Sequence, residues 1–199
     1  PDPNHDLRRG RVRNLPNILT VTRILLVPIL VTVLFTKVAG KEWYGLALFL
    51  AAALTDFLDG YLARRFRLVT KLGQLLDPAA DKILVASAFI SLVELDPKVT
   101  PAWMVAVILA REFAVGALRN VAASEGQVIS AGWSGKTKTT VQIVAISLLI
   151  IYNQLGEFRH LAPISLWVAM VVTVLSGFDY FLRYRRVLAG QAAPRTAGP

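Results

Sequence analysis

Leu54-Thr-Asp-Phe-Leu-Asp-Gly-Tyr-Leu-Ala-Arg64 closes one long apolar run of the chain, and Gly73-Gln-Leu-Leu-Asp-Pro-Ala-Ala-Asp81 opens the next. Ionisable groups in apolar segments of membrane length are costly and point by default to function. On a helix, Asp56 and Asp59 are three apart and share a face. Gly60 and Ala63 continue that face with almost no side chain, which leaves room for a bulky group to approach the backbone. Gly73, Asp77 and Asp81 are spaced by four and form one stripe if the helix through them is continuous. Asp77 before Pro78 also reads as a helix N-cap with proline at the first helical position, so a structural role stands beside the functional one there.

Four carboxylates this close repel in a low dielectric and either take up protons or bind cations. The chain has no cysteine, which excludes disulfides and thiolate metal sites. His5 and His160 lie far apart in sequence. Oxygen-only ligands suit Mg2+, Mn2+ or Ca2+. Metal, carboxylates and a nearby Arg64 are the equipment of phosphoryl chemistry: metal neutralises phosphate charge and one carboxylate can deprotonate a hydroxyl nucleophile.

Of 199 residues, 55% are hydrophobic and 18% charged, with a mean hydropathy of +0.54. That is too apolar for an ordinary soluble domain. Six stretches approach the length that crosses a bilayer: Leu19–Phe35, Trp43–Leu62, Leu75–Val93, Pro101–Val121, Thr139–Tyr152 and Leu161–Leu182. The fifth is short and could begin nearer Ser134. The expected fold class is therefore all-α and polytopic, with six transmembrane helices. Residues 1–13 are expected to form a basic N-terminal segment, 14–187 the transmembrane catalytic domain, and 188–199 a disordered Ala/Gly/Pro-rich tail. Pro1 to Asn14 is polar and basic and the first apolar run is long enough to span, so no cleavable signal peptide is expected.

The net charge is +9. Its Lys and Arg residues flank apolar runs, which favours anionic membrane surfaces or phosphate-bearing substrates over nucleic acid. One set of flanks holds Arg8, Arg9, Arg11, Arg13, Arg64, Arg65, Arg67, Lys71, Arg119, Lys136, Lys138, Arg183, Arg185, Arg186 and Arg195. The opposite flanks hold only Lys37, Lys41, Lys98 and Arg159. Basic residues stay inside, so both termini, the second and fourth loops and the aspartates are expected on the cytoplasmic side of a bacterial-type inner membrane. Trp43, Trp103, Trp133 and Trp167 read as an interfacial belt, Glu94 and Asp96 as solvated loop charges, and Arg183 to Arg186 as a membrane anchor.

The pattern Asp56-x2-Asp59-Gly60-x2-Ala63-Arg64-x8-Gly73-x3-Asp77-x3-Asp81 resembles, at every position, the signature of the CDP-alcohol phosphotransferase family. The resemblance implies six transmembrane helices, a homodimer, and a cytoplasm-facing cavity in which an alcohol attacks the β-phosphorus of a CDP-linked donor and releases CMP. It further implies two Mg2+ (or Mn2+) ions held by Asp56, Asp59, Asp77 and Asp81, with Asp81 as general base. Gly60, Ala63, Arg64, Thr70 and Gly73, with Asn17 and Thr20 of the Pro16-Asn17-Ile-Leu-Thr20 turn, correspond to contacts for the CDP-lipid.

The flanks resemble the branch of the family that forms phosphatidylglycerol phosphate from CDP-diacylglycerol and sn-glycerol 3-phosphate. The similar stretches are Asn14 to Arg23 with Pro28, Arg111-Glu112-Phe with Leu118-Arg119, and Gly135-Lys136-Thr-Lys138 to Gln142. Arg111 and Arg119 are eight apart, on one face of the fourth span, and Lys136 and Lys138 open the fifth. A dianionic acceptor needs several fixed cations, so these four are the candidates for its phosphate. An ion pair with Glu112 is the plainer reading of Arg111, and membrane anchoring that of the other three. Transfer to inositol phosphate or to phosphatidylglycerol (a cardiolipin synthase) are the nearest rival activities. A divalent-cation transporter would also carry intramembrane aspartates, but these cluster near one side. A structural scaffold leaves them without purpose.

Overall fold

The computed structural model describes the backbone of residues 20–66, 71–124 and 133–191, and the side chains of 20–55, 79–124 and 137–185. Six α-helices occupy the six apolar stretches: α1 Thr20–Phe35, α2 Lys41–Phe66, α3 Lys71–Leu95, α4 Ala102–Ser124, α5 Trp133–Ile150 and α6 Leu161–Gln191. Two short 3-10 turns, Tyr152–Gln154 and Gly156–His160, join α5 to α6. Among the described residues there is no strand. Asn17 and Thr70, the basic start and the end of the tail lie outside them.

α2, α3, α4 and α6 run past the expected apolar cores because their polar ends continue the same hydrogen-bond ladder, whereas α5 stops at Ile150, two residues short of the expected end, before the first 3-10 turn. α3 starts at Lys71 and runs through Pro78 to Leu95. Asp77 is therefore inside the helix and does not cap it. Proline removes one ladder bond, a loss that a helix of 25 residues tolerates. Gly73, Asp77 and Asp81 thus occupy one continuous stripe. α5 begins at Trp133, so Lys136 and Lys138 lie in its first two turns.

Among α2 to α6, α5 and α6 pack most extensively, followed by α4 on α6 and α2 on α5. Phe49, Leu84, Phe89, Met104, Ile108, Ile146 and Leu166 are fully buried where the helices meet. The outer surface carries Leu25, Leu50, Ile90, Phe113, Ile164, Leu175 and Phe178 exposed, apolar where a water-facing protein is polar. Among the described residues one segment, Gly156–Arg185, is both long and apolar enough to cross a membrane, with a hydropathy of 2.0. α2, α3 and α4 have 26, 25 and 23 residues and carry most of the candidate site residues. Within the described side chains, α1 and α5 contribute the apolar helical segments Thr20–Phe35 and Thr137–Ile150.

At the end opposite the aspartates the connections are tight. Gly40 adopts φ +77° at the α1–α2 turn, a conformation that favours glycine, and Lys41 Nζ donates to the Leu34 carbonyl at 2.8 Å, capping α1. Asp96 does more than face solvent. Its Oδ1 accepts the amides of Lys98 and Val99, both at 3.1 Å, and so shapes the α3–α4 turn. Trp103 and Trp167 meet edge to face at 5.5 Å between centroids, at neighbouring ends of α4 and α6.

Candidate active site

The aspartates divide between two helices. Asp56 and Asp59 stand three apart on α2, and Asp77 and Asp81 four apart on α3, so each pair shares a helix face. The side chains of Asp56, Asp59, Gly60, Ala63, Arg64, Gly73 and Asp77 lie outside the described residues. Asp81 is described and partly buried. Among the described side chains no group of three His, Cys, Asp or Glu could hold a metal; three of the four expected ligands are not in that set. The donor chemistry, carboxylate oxygen only, fits a hard divalent cation such as Mg2+ or Mn2+.

α1 braces α2 just ahead of Asp56. Thr20 and Arg23 are fully buried. Arg23 Nε donates to the Ala52 carbonyl at 3.3 Å, and Thr55 Oγ1 donates to the same oxygen at 2.6 Å. Helical geometry also aims the amide of Asp56 at this carbonyl. Thr20, expected at the nucleotide, thus sits one turn from the residue that pins α2.

A second polar cluster lies between α4, α5 and α6. Its centre is Glu112. Lys138 Nζ lies 2.5 Å from Oε2, while Arg111 Nη1 and Gln142 Nε2 donate to Oε1 at 3.1 and 3.3 Å. Gln142 also donates to Thr173 Oγ1 at 3.1 Å. The Glu112 and Lys138 side chains are each only 13% exposed. Water therefore screens their attraction weakly, and removing either partner leaves a poorly solvated charge.

Of the four expected acceptor cations, Arg111 and Lys138 converge on Glu112. Arg111 reaches further, to Ser176 Oγ on α6 at 2.8 Å. Its stem crosses Gly177, where a Cβ would come within 2.8 Å of Arg111 Cγ, so the glycine is what lets the arginine lie there. Arg119 is apart from both: its guanidinium lies 5.8 Å from the Tyr180 ring centre, within cation–π range. The Lys136 side chain lies outside the described residues. The ion pair weighed as the plainer role of Arg111 is present.

Glu112, Gln142, Lys138, Thr139, Lys82 and Asp81 line one small pocket, floored by Val85, Leu109 and Phe113. Its volume is about 20 Å³, room for one water or one hydroxyl group. Lys82 spans from α3 to α4, with Nζ 5.6 Å from the Phe113 ring centre and in the notch left by Gly116, where a Cβ would collide with it.

Arg23, Lys82 and Glu112 were not among the expected site residues. A signal existed for the two cations. With Arg111 they are the only Lys or Arg outside the two sets of flanks, and mid-span cations are as costly as mid-span acids. Glu112 is adjacent to Arg111, which made it look like a local partner. Its bonds to Lys138 and Gln142 cross 26 and 30 residues and have no sequence signature.

A family model described as CDP-alcohol phosphatidyltransferase matches residues 13–175. The chain is 44% identical to the CDP-diacylglycerol–glycerol-3-phosphate 3-phosphatidyltransferase of Bacillus subtilis (strain 168), over 84% of this chain and 93% of that one. Proteins of the same name from Rickettsia bellii (strain RML369-C) and Haemophilus influenzae (strain ATCC 51907 / DSM 11121 / KW20 / Rd) are 37% and 35% identical. Each similarity covers 84% of this chain, and 93% and 91% of theirs.

Proposed function

The chain belongs to the CDP-alcohol phosphatidyltransferase family, and from that premise we propose that it transfers the phosphatidyl group of CDP-diacylglycerol to sn-glycerol 3-phosphate, giving phosphatidylglycerol phosphate and CMP. The observation that carries this reading is the near-full-length similarity to transferases of that name. The complete aspartate signature and the cations beside it support it.

The primary hydroxyl of glycerol 3-phosphate gives its proton to Asp81, and its oxygen attacks the β-phosphorus of the donor. The bond from that phosphorus to the bridging oxygen breaks, and CMP leaves with the electron pair. Asp56, Asp59, Asp77 and Asp81 would hold two Mg2+ or Mn2+ ions, whose charge would offset that of the pyrophosphate and of the departing CMP. Gly60 and Ala63 leave space for the nucleotide, with Arg64, Gly73, Asn17, Thr20 and Thr70 around it. Lys138, Lys136, Arg119 and Arg111 supply the positive wall that the acceptor's phosphate meets. The acyl chains of the donor stay in the bilayer.

This reading places residues 14–187 in the membrane as six spans of a homodimer, with both termini and the site in the cytoplasm. The apolar outer surface of the helix bundle and the asymmetry of basic residues support it. The test is an acceptor panel. Purified protein is given CDP-diacylglycerol labelled in the phosphatidyl group, with glycerol 3-phosphate, inositol phosphate or phosphatidylglycerol. Label should appear in phosphatidylglycerol phosphate alone; label with another acceptor reassigns the activity.

A further inference from the structure

We propose that the pocket between Asp81 and Glu112 is a hydroxyl subsite, in which the Glu112 carboxylate reads the secondary hydroxyl of a polyol acceptor. The proposal rests on the acceptor assignment above and assigns Glu112 a specificity role that the aspartate signature does not contain.

Hydrogen-bond capacity points this way. A carboxylate offers about four acceptor positions. Among the described residues Oε1 accepts two bonds, from Arg111 and Gln142, and Oε2 accepts one, from Lys138. With respect to the described residues one position on Oε2 is left, and Glu112 lines the pocket. Lys138 spends one of its three donors on Glu112. The void between them is about 20 Å³, too small for a phosphate and sufficient for a hydroxyl.

Position fits the same group. Asp81 lines this pocket, and the hydroxyl that Asp81 deprotonates sits on the carbon next to the one bearing the secondary hydroxyl. With the primary oxygen at Asp81, the neighbouring hydroxyl can donate to Glu112 Oε2 and accept from Lys138. Glu112 cannot turn away, because Arg111 is itself tied to Ser176 and Gln142 to Thr173. A polar site fixed this way discriminates against an acceptor that leaves its groups unpaired.

The experiment compares glycerol 3-phosphate with 3-hydroxypropyl phosphate, which keeps the primary hydroxyl and the phosphate and lacks only the secondary hydroxyl. The wild type should favour glycerol 3-phosphate by at least about tenfold in kcat/KM. Glu112→Gln should bring that ratio towards one, chiefly by losing activity on glycerol 3-phosphate. Equal turnover of the two acceptors by the wild type overturns the proposal and leaves the void to water; this arm stands even if the variant does not fold. A variant that slows both acceptors by the same factor shows a purely structural Glu112 and also overturns it. A wild type inactive on glycerol 3-phosphate but active on another acceptor instead fails the acceptor assignment, which is a separate result.

Discussion

Lys138 on α5 and Glu112 on α4 meet at 2.5 Å, with both side chains 13% exposed. They are joined to α6 through Gln142–Thr173 and Arg111–Ser176. One ion pair thereby links the three helices that form the far wall of the site.

The first prediction concerns that pair. Lys138→Met leaves Glu112 with Arg111 and Gln142 and should cost about 2–4 kcal/mol, near the lower range for breaking a buried pair. Adding Glu112→Gln should recover part of the loss, because the orphaned charge is gone. Thermal unfolding in detergent of the two single variants and the double variant measures the coupling. Strictly additive costs would mean that the pair is not an energetic unit.

Asp81→Asn should lower turnover by about 10²–10⁴-fold, the usual worth of a general base, while donor binding largely persists. Equilibrium binding of CDP-diacylglycerol beside a steady-state assay separates the two. A near-normal rate would remove Asp81 from the role of base.

Chelation should stop the reaction, and Mg2+ or Mn2+ should restore it. CMP release measured with EDTA and then with added metal is the readout. Release that continues in EDTA contradicts a metal held by the four aspartates.

Two glycines should respond differently to the same methyl group. At Gly177 the new Cβ meets the stem of Arg111 at Cγ, 2.8 Å away. Gly177→Ala should therefore push Arg111 off Ser176 and cost about 1–3 kcal/mol. At Gly116 it meets the ammonium of Lys82, the free end of a flexible chain that can swing aside, so Gly116→Ala should cost less than Gly177→Ala. Melting temperatures of the two variants decide it, and the reverse order would place the strain elsewhere.

The proposed orientation can be checked without background labelling, since the chain has no cysteine. In intact cells a membrane-impermeant maleimide should label Lys98→Cys. It should reach Arg185→Cys only after permeabilisation. Both positions are exposed. The opposite pattern inverts the protein in the membrane.

Much of this protein is decided within single helices, and that part was legible from residue order. Apolar runs of membrane length set six helices, and spacings of three and four set which aspartates share a face, because helical periodicity is a local property. The proposed orientation rests on the flanking Lys and Arg, which are also read locally, each at its own end of an apolar run. The reading of Asp77 as a cap failed because α3 already starts at Lys71, six residues upstream, and proline in the first turns of a helix does not mark where that helix begins. The second half of the site was decided only by packing. Arg111 reaches Ser176 across 65 residues and Gln142 reaches Glu112 across 30. Which of several charges within the apolar runs meet depends on how α4, α5 and α6 dock. Gly177 permits that approach and Glu112 holds it, so a carboxylate that looked like a neighbour's partner became the centre of the pocket facing Asp81.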